Sequence, residues 1–94
     1  MAEFLFELYA SRTEPRAVEA GAERARRAAE ELTWEGTPVR FLRTMFVPEE
    51  ETCFYLYEAA SADDVREAAR RAELPAESVV EAISEPVTER KEQR

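Results

Sequence analysis

Histidine is absent from all 94 residues. That absence removes Ser-His and Cys-His nucleophilic pairs, imidazole acid-base chemistry and the commonest protein ligand for zinc, nickel or copper. Cysteine occurs once, at Cys53, so neither an intrachain disulfide nor a cysteine zinc site can form, and a reducing cytoplasmic compartment fits. No apolar run approaches the roughly 18 residues of a membrane span. The start carries Glu3 and Glu7 with no basic stretch, unlike a signal peptide.

Positive charge is also scarce. Thirteen Lys and Arg stand against 21 Asp and Glu, for a net charge of −8, so the average surface repels phosphate backbones. Nucleic acid and anionic membranes are poor partners for such a chain.

What is present fits one domain over residues 1–87 with a charged tail over 88–94. A chain this short buries about 60 to 65% of its unfolded-chain surface, enough for one two-layer core. A ligand cavity deep inside a single copy is not expected. Folds of this size enclose ligands by dimerising or bind them at a surface groove.

Glu3 to Tyr9 alternates as a strand, with Phe4, Phe6 and Leu8 on one face and Leu5, Glu7 and Tyr9 on the other. Thr13-Glu14-Pro15 opens a helix to about Leu32, with Thr13 as N-cap and Pro15 in the first turn. The helical period predicts an inward stripe of Val18, Ala22, Ala25, Ala29 and Leu32, and an i,i+4 pair of Glu23 and Arg27 on the wet face. Val39 to Val47 and Thr52 to Glu58 form a hairpin with an acidic tip, Glu49-Glu50-Glu51.

Ser61 caps a second helix over about 62 to 72, with Asp63 and Asp64 in the first turn and Arg70 and Arg71 in the last. Val65, Ala68, Ala69 and Ala72 face inward. Pro75 stops the helix, Ala76 to Ser78 is expected as a short turn, and Val79 to Val87 as the final strand. The order β-α-β-β-α-β is that of an α+β, ferredoxin-like split βαβ fold, an antiparallel sheet with two helices on one face. The other face bears Leu5, Tyr9 and strand aromatics, too apolar to leave wet. A second copy is expected to cover it, giving a homodimer of the α/β-barrel type.

The stretches Phe41-Leu42-Arg43-Thr44-Met45, Cys53-Phe54-Tyr55-Leu56-Tyr57-Glu58-Ala59 and the run from Val65 through Leu74-Pro75-Ala76-Glu77 resemble a bacterial family of small uncharacterised domains. That family includes a nickel-binding protein with a ferredoxin-like fold. The likeness covers about residues 39 to 83 and implies the same fold. Members commonly carry a cysteine two residues before the aromatic of the Tyr-Glu-Ala motif, where this chain has Tyr55 and places its cysteine at Cys53. Metal-binding members place histidines on the second helix around the positions of Ala68 and Ala72. The resemblance suggests nickel as a cofactor, but with alanine at both positions no metal residue is assigned. Carboxylates and carbonyls alone suit magnesium, calcium or manganese better.

Five residues are candidates for ligand binding: Glu7, Tyr9, Arg43, Tyr55 and Tyr57. Glu7 and Arg43 interrupt apolar strands, where a buried charge needs a partner or water. The structural alternative is that each is paired or sits at a rim. Strand alternation does not decide the face of Arg43. Tyr9, Tyr55 and Tyr57 would gather on the open face if Phe54 and Leu56 point to the helices, forming an apolar cavity with phenolic tips. Their plainer role is in a dimer interface or sheet edge. Cys53 reads as a small buried hydrophobe, and the Glu49-Glu50-Glu51 tip as solvated.

Two functions follow from different classes. One is a non-catalytic dimeric binding protein with a small-molecule or metal site between facing sheets. The other is a cofactor-free dimeric barrel enzyme, a monooxygenase or cyclase, using a Tyr or Glu in place of histidine.

Overall fold

Alternation along four strands decides which side chains meet the helices. The computed structural model describes residues 1–85. They form β1 (Ala2–Tyr9), α1 (Pro15–Trp34), β2 (Val39–Val47), β3 (Thr52–Ala59), α2 (Ala62–Arg71) and β4 (Val80–Ala82). The strands pair antiparallel in the order β2-β3-β1-β4. This is the ferredoxin-like split βαβ arrangement. The 88–94 tail lies outside the described residues.

Phe4 lies opposite Tyr57 and Phe6 opposite Tyr55 in the β1-β3 register. All four are buried among Ala25, Ala28, Ala29 and Leu32 of α1 and Val65, Ala68 and Ala69 of α2. The division of volume is clear: alanine-rich helices close onto the sheet, and large aromatics from the sheet fill the space. Phe6 stacks on Tyr55 with ring centroids 5.2 Å apart and planes 7° from parallel. Burying each such ring contributes about 1.5 to 3 kcal/mol.

Both helices end in the same device. Gly36, with φ of 103°, follows α1, and its N–H donates to the Thr33 carbonyl while Thr37 N–H donates to the Leu32 carbonyl. After α2, Glu73 takes the left-handed conformation at φ of 60°, with its N–H on the Arg70 carbonyl and Leu74 N–H on the Ala69 carbonyl. These are Schellman pairs that satisfy the last carbonyls. Leu74 is buried beneath the second, and the Thr33 hydroxyl donates to the Val39 carbonyl at 2.9 Å, tying α1 to β2.

Several local expectations are corrected. Glu14, not Thr13, occupies the N-cap of α1 and gives no side-chain cap, because the Thr13 hydroxyl is engaged with Ser11 at 2.9 Å. Gly21 and Ala28 are buried on α1, where Val18 and Ala22 are only half-buried. Glu23 pairs with Arg26, one residue closer than Arg27, at 2.5 Å. The hairpin tip is a 3₁₀ turn over Pro48–Glu50 with Glu51 left-handed.

Residues 76–78 form no turn, and β4 spans only Val80–Ala82. Its partner runs out: Ala82 already faces Glu3, one residue from the start of β1. Residues 86 and 87 of the expected strand lie outside the described part. The expectation for α2 holds, with the Ser61 hydroxyl accepting from Asp64 N–H at 3.2 Å and Val65, Ala68, Ala69 and Ala72 all buried.

Candidate functional site

The sheet divides the five candidate residues between its two faces. Tyr55 and Tyr57 point into the helix-side core, 3% and 0% exposed, because they are register partners of Phe6 and Phe4. A single tyrosine cluster on the open face is therefore not formed. Phe54 and Leu56 take that face instead. Leu56 is 5% exposed yet stands apart from the helix-side core cluster.

Glu7, Tyr9 and Arg43 lie on the helix-free face. Glu7 is opposite Phe54 and Tyr9 opposite Thr52. Arg43 is opposite Leu56 across a bulge between Phe41 and Arg43. The bulge inserts Leu42 and reverses the alternation, so Phe41 reaches the core aromatics while Arg43 points away from them. Strand parity alone could not place Arg43 for this reason. Glu7, Tyr9 and Arg43 are all exposed. The face carries a row of Val80, Leu5 and Leu56, and Phe54 beside Met45, with an Arg40–Glu58 pair at 3.6 Å.

Recesses open on the helix side of the described residues, and the two described below contain neither Glu7 nor Arg43 nor Tyr57. The larger, about 760 Å³, opens between α1 and the start of β2 beside Trp34, Arg27, Glu30, Val39 and Phe41. Its charged groups are solvated side chains. The smaller, about 440 Å³, lies between the first half of α1, the ends of β1 and β3 and the loop after α2. Tyr55, Cys53, Gly21, Arg24 and Leu74 line it, with Tyr9 at its edge.

Burial governs the chemistry of this second recess. The Tyr55 phenol is pushed up to about 12, first by desolvation and next by the neighbouring Cys53, with Arg24 acting in the opposite direction. Desolvation also raises the Cys53 thiol, with the Tyr55 contact pulling it down. The Tyr57 phenol is raised further by its burial and then by Tyr55. Its hydroxyl is buried without a partner. Neither core phenol is poised as a base near neutral pH.

Two lining residues, Gly21 and Arg24, were not singled out from the sequence. An isolated glycine within a helical pattern costs about 1 kcal/mol against alanine and points to a packing reason. Here the reason is Tyr55, whose Oη lies too close for a Cβ on residue 21. Arg24 is one turn further on, at i+3, and its Nε donates to the Ala72 carbonyl at 2.8 Å.

Among the described residues, no group of three or more His, Cys, Asp or Glu side chains is placed to hold a metal ion. Nor is any helix there long and apolar enough to cross a membrane.

The fold has a counterpart among solved structures. The crystal structure of SCO4226 from Streptomyces coelicolor A3(2) is similar, with a TM-score of 0.64 and 21% identity over 90% of this chain and 100% of that one. At that identity the likeness concerns the fold alone. No curated protein matches the chain. Residues 11–82 match the family described as nickel responsive protein SCO4226-like. That match takes in α1, β2, β3, α2 and β4, and the chain belongs to the SCO4226-like family.

Proposed function

We propose that the protein is a non-catalytic homodimeric binding protein whose helix-free sheet face meets the same face of a second copy. The observation that carries this is exposed Val80 and Met45 with partly exposed Leu5 and Phe54 around the buried Leu56, on the face with no helix above it. Charge supports a self-complementary pairing. Arg40 and Arg43 lie on β2 at one side of the sheet, and Glu3 and Glu7 lie on β1 toward the other. A two-fold axis between the sheets and parallel to the strands brings β2 of one copy over the β1 side of its partner. Glu7, Tyr9 and Arg43 then border the joint surface, where a small ligand would bind. The one thiol is free and buried, in keeping with a reducing cytoplasm.

The family description brings nickel into consideration for this chain. The donor set of one protomer does not fit it, because no histidine is present, Cys53 is buried on the helix side and, among the described residues, no acidic cluster converges. Nickel prefers imidazole and thiolate donors over carboxylates. Calorimetric titration of nickel into untagged protein is expected to give weak, non-stoichiometric heats. A tight stoichiometric site would prove the argument from missing imidazole wrong.

Sedimentation tests the dimer. The wild type should run at about twice the chain mass at micromolar concentration, and Leu5→Glu should run as a folded monomer. A wild type that stays monomeric at high concentration removes the reading.

A further inference from the structure

We infer that the 440 Å³ recess between α1 and the β1 and β3 ends is a binding site for a small apolar monocarboxylate, held by the Tyr55 hydroxyl and the Arg24 guanidinium. This site is on the helix side and shares only Tyr9, at its edge, with the sheet-face dimer proposed above.

The recess has the layout of a specific pocket, with an apolar wall and a few convergent polar groups. Leu8, Val18 and Leu74 supply apolar surface. The Tyr55 side chain is 97% buried by the complement of its 3% exposure, and its polar neighbour is the Cys53 thiol, a weak partner. The hydroxyl borders the recess without an oxygen or nitrogen partner, and its O–H is free to take one. A ligand oxygen would supply it. Gly21 keeps the way open, since a side chain there would meet Tyr55 Oη.

Arg24 supplies the charge. Among the described residues it has no carboxylate partner, as is true of Arg12, Arg16, Arg27 and Arg43, but of these four only Arg27 lines a recess described above and, unlike Arg24, it is exposed. Its Nε is committed to the Ala72 carbonyl, which fixes the guanidinium plane and leaves its two terminal nitrogens to donate. A planar fork next to a phenol O–H matches a carboxylate. Glu14 and Glu73 also line the recess but are exposed, whereas Arg24 is half-buried. The depth therefore favours an anion and the rim disfavours one. A single carboxylate inserted first, with an apolar body behind it, satisfies both, and a second carboxylate would face Glu14 and Glu73.

The test is titration of the full chain with phenylacetate, isovalerate and benzoate, each against its primary amide, with glutarate as the dicarboxylate. Amide chemical shifts and calorimetry are the readouts. The acids are expected to bind with shifts centred on Gly21, Tyr55 and Leu74, and the amides and glutarate to bind more weakly. Arg24→Gln and Tyr55→Phe should each weaken the acids by roughly tenfold or more, from loss of a charge-assisted or buried hydrogen bond, and Arg24→Gln should erase the preference for acid over amide.

Leu5→Glu should bind the acids as the wild type does, which separates this outcome from the fate of the dimer. The inference is overturned if no acid binds at millimolar concentration. It is equally overturned if the acids bind with shifts elsewhere, or if folded Arg24→Gln and Tyr55→Phe both bind as the wild type does.

Discussion

Gly21 and Tyr55 are fitted to each other: a Cβ on residue 21 would clash with the Tyr55 hydroxyl while meeting the Tyr55 Cζ at an ordinary 3.5 Å. Helix propensity favours Gly21→Ala by about 1 kcal/mol, while forcing an atom into a filled site costs about 1 to 3 kcal/mol. The steric cost should win in the wild type, with a net loss of about 1 kcal/mol. In a Tyr55→Phe background the obstructing oxygen is gone and ordinary contact remains, so the same substitution should stabilise. Denaturant unfolding of the four proteins in this cycle measures the coupling, and additive effects would show that the contact carries no strain.

The two helix ends predict opposite responses. Gly36 holds φ of 103° and Glu73 holds φ of 60° at equivalent Schellman positions. Only the first uses the residue that adopts such angles without steric cost. Gly36→Ala should destabilise by about 1 kcal/mol and Glu73→Gly should stabilise by a few tenths to about 1 kcal/mol, the gain being reduced by the added freedom of the unfolded chain. Thermal melts of the two variants beside the wild type check both signs.

Most of the element order was legible because each helix carries an independent start or stop signal, such as Ser61 and Pro75, and each long strand alternates. The face of β1 was legible for the same reason. The face of β3 was not, since Cys53, Tyr55 and Tyr57 and the opposite set Phe54 and Leu56 are both apolar. Only pairing with Phe4 and Phe6 decides it. Arg43 was unreadable because a bulge leaves no mark in apolar periodicity. Gly21 did carry a signal, an unexplained glycine in mid-helix, and its meaning depends on a contact with Tyr55, 34 residues away by subtraction of their numbers.

Alkaline pH should unfold the protein through its core phenols. The Tyr55 phenol, at about 12 in the folded protein, sits above the ordinary tyrosine value near 10, and Tyr57 is raised as well. A raised folded-state value means the native form holds its proton longer than the unfolded chain does. The stability it contributes is intact below about pH 10 and is lost as pH climbs toward 12, by up to about 1.4 kcal/mol per pH unit for each phenol. Tyr57→Phe removes one such group and also an orphaned buried hydroxyl. It should raise neutral-pH stability by about 1 kcal/mol and flatten the alkaline slope. Chemical denaturation across that pH window reads both effects, and an unchanged slope would mean Tyr57 ionises as easily folded as unfolded.

Charge reversal tests how two copies meet. With Arg43 on β2 and Glu7 on β1, a two-fold axis parallel to the strands sets the basic side of one sheet over the acidic side of the other. A two-fold axis across the strands instead places β2 on β2 and Arg43 among like charges. The first geometry predicts that Arg43→Glu and Glu7→Arg each weaken the dimer, by about 1 kcal/mol or less for a rim pair open to solvent, and that the double reversal restores it. The second predicts that Arg43→Glu mixed with wild type forms a tighter heterodimer than either protein forms with itself. Sedimentation equilibrium at low salt distinguishes them, because screening beyond about 10 Å at 0.1 M ionic strength would blunt both effects. Recovery of the dimer in the double variant fixes the strand-parallel axis, and failure to recover with a favoured mixed dimer excludes it.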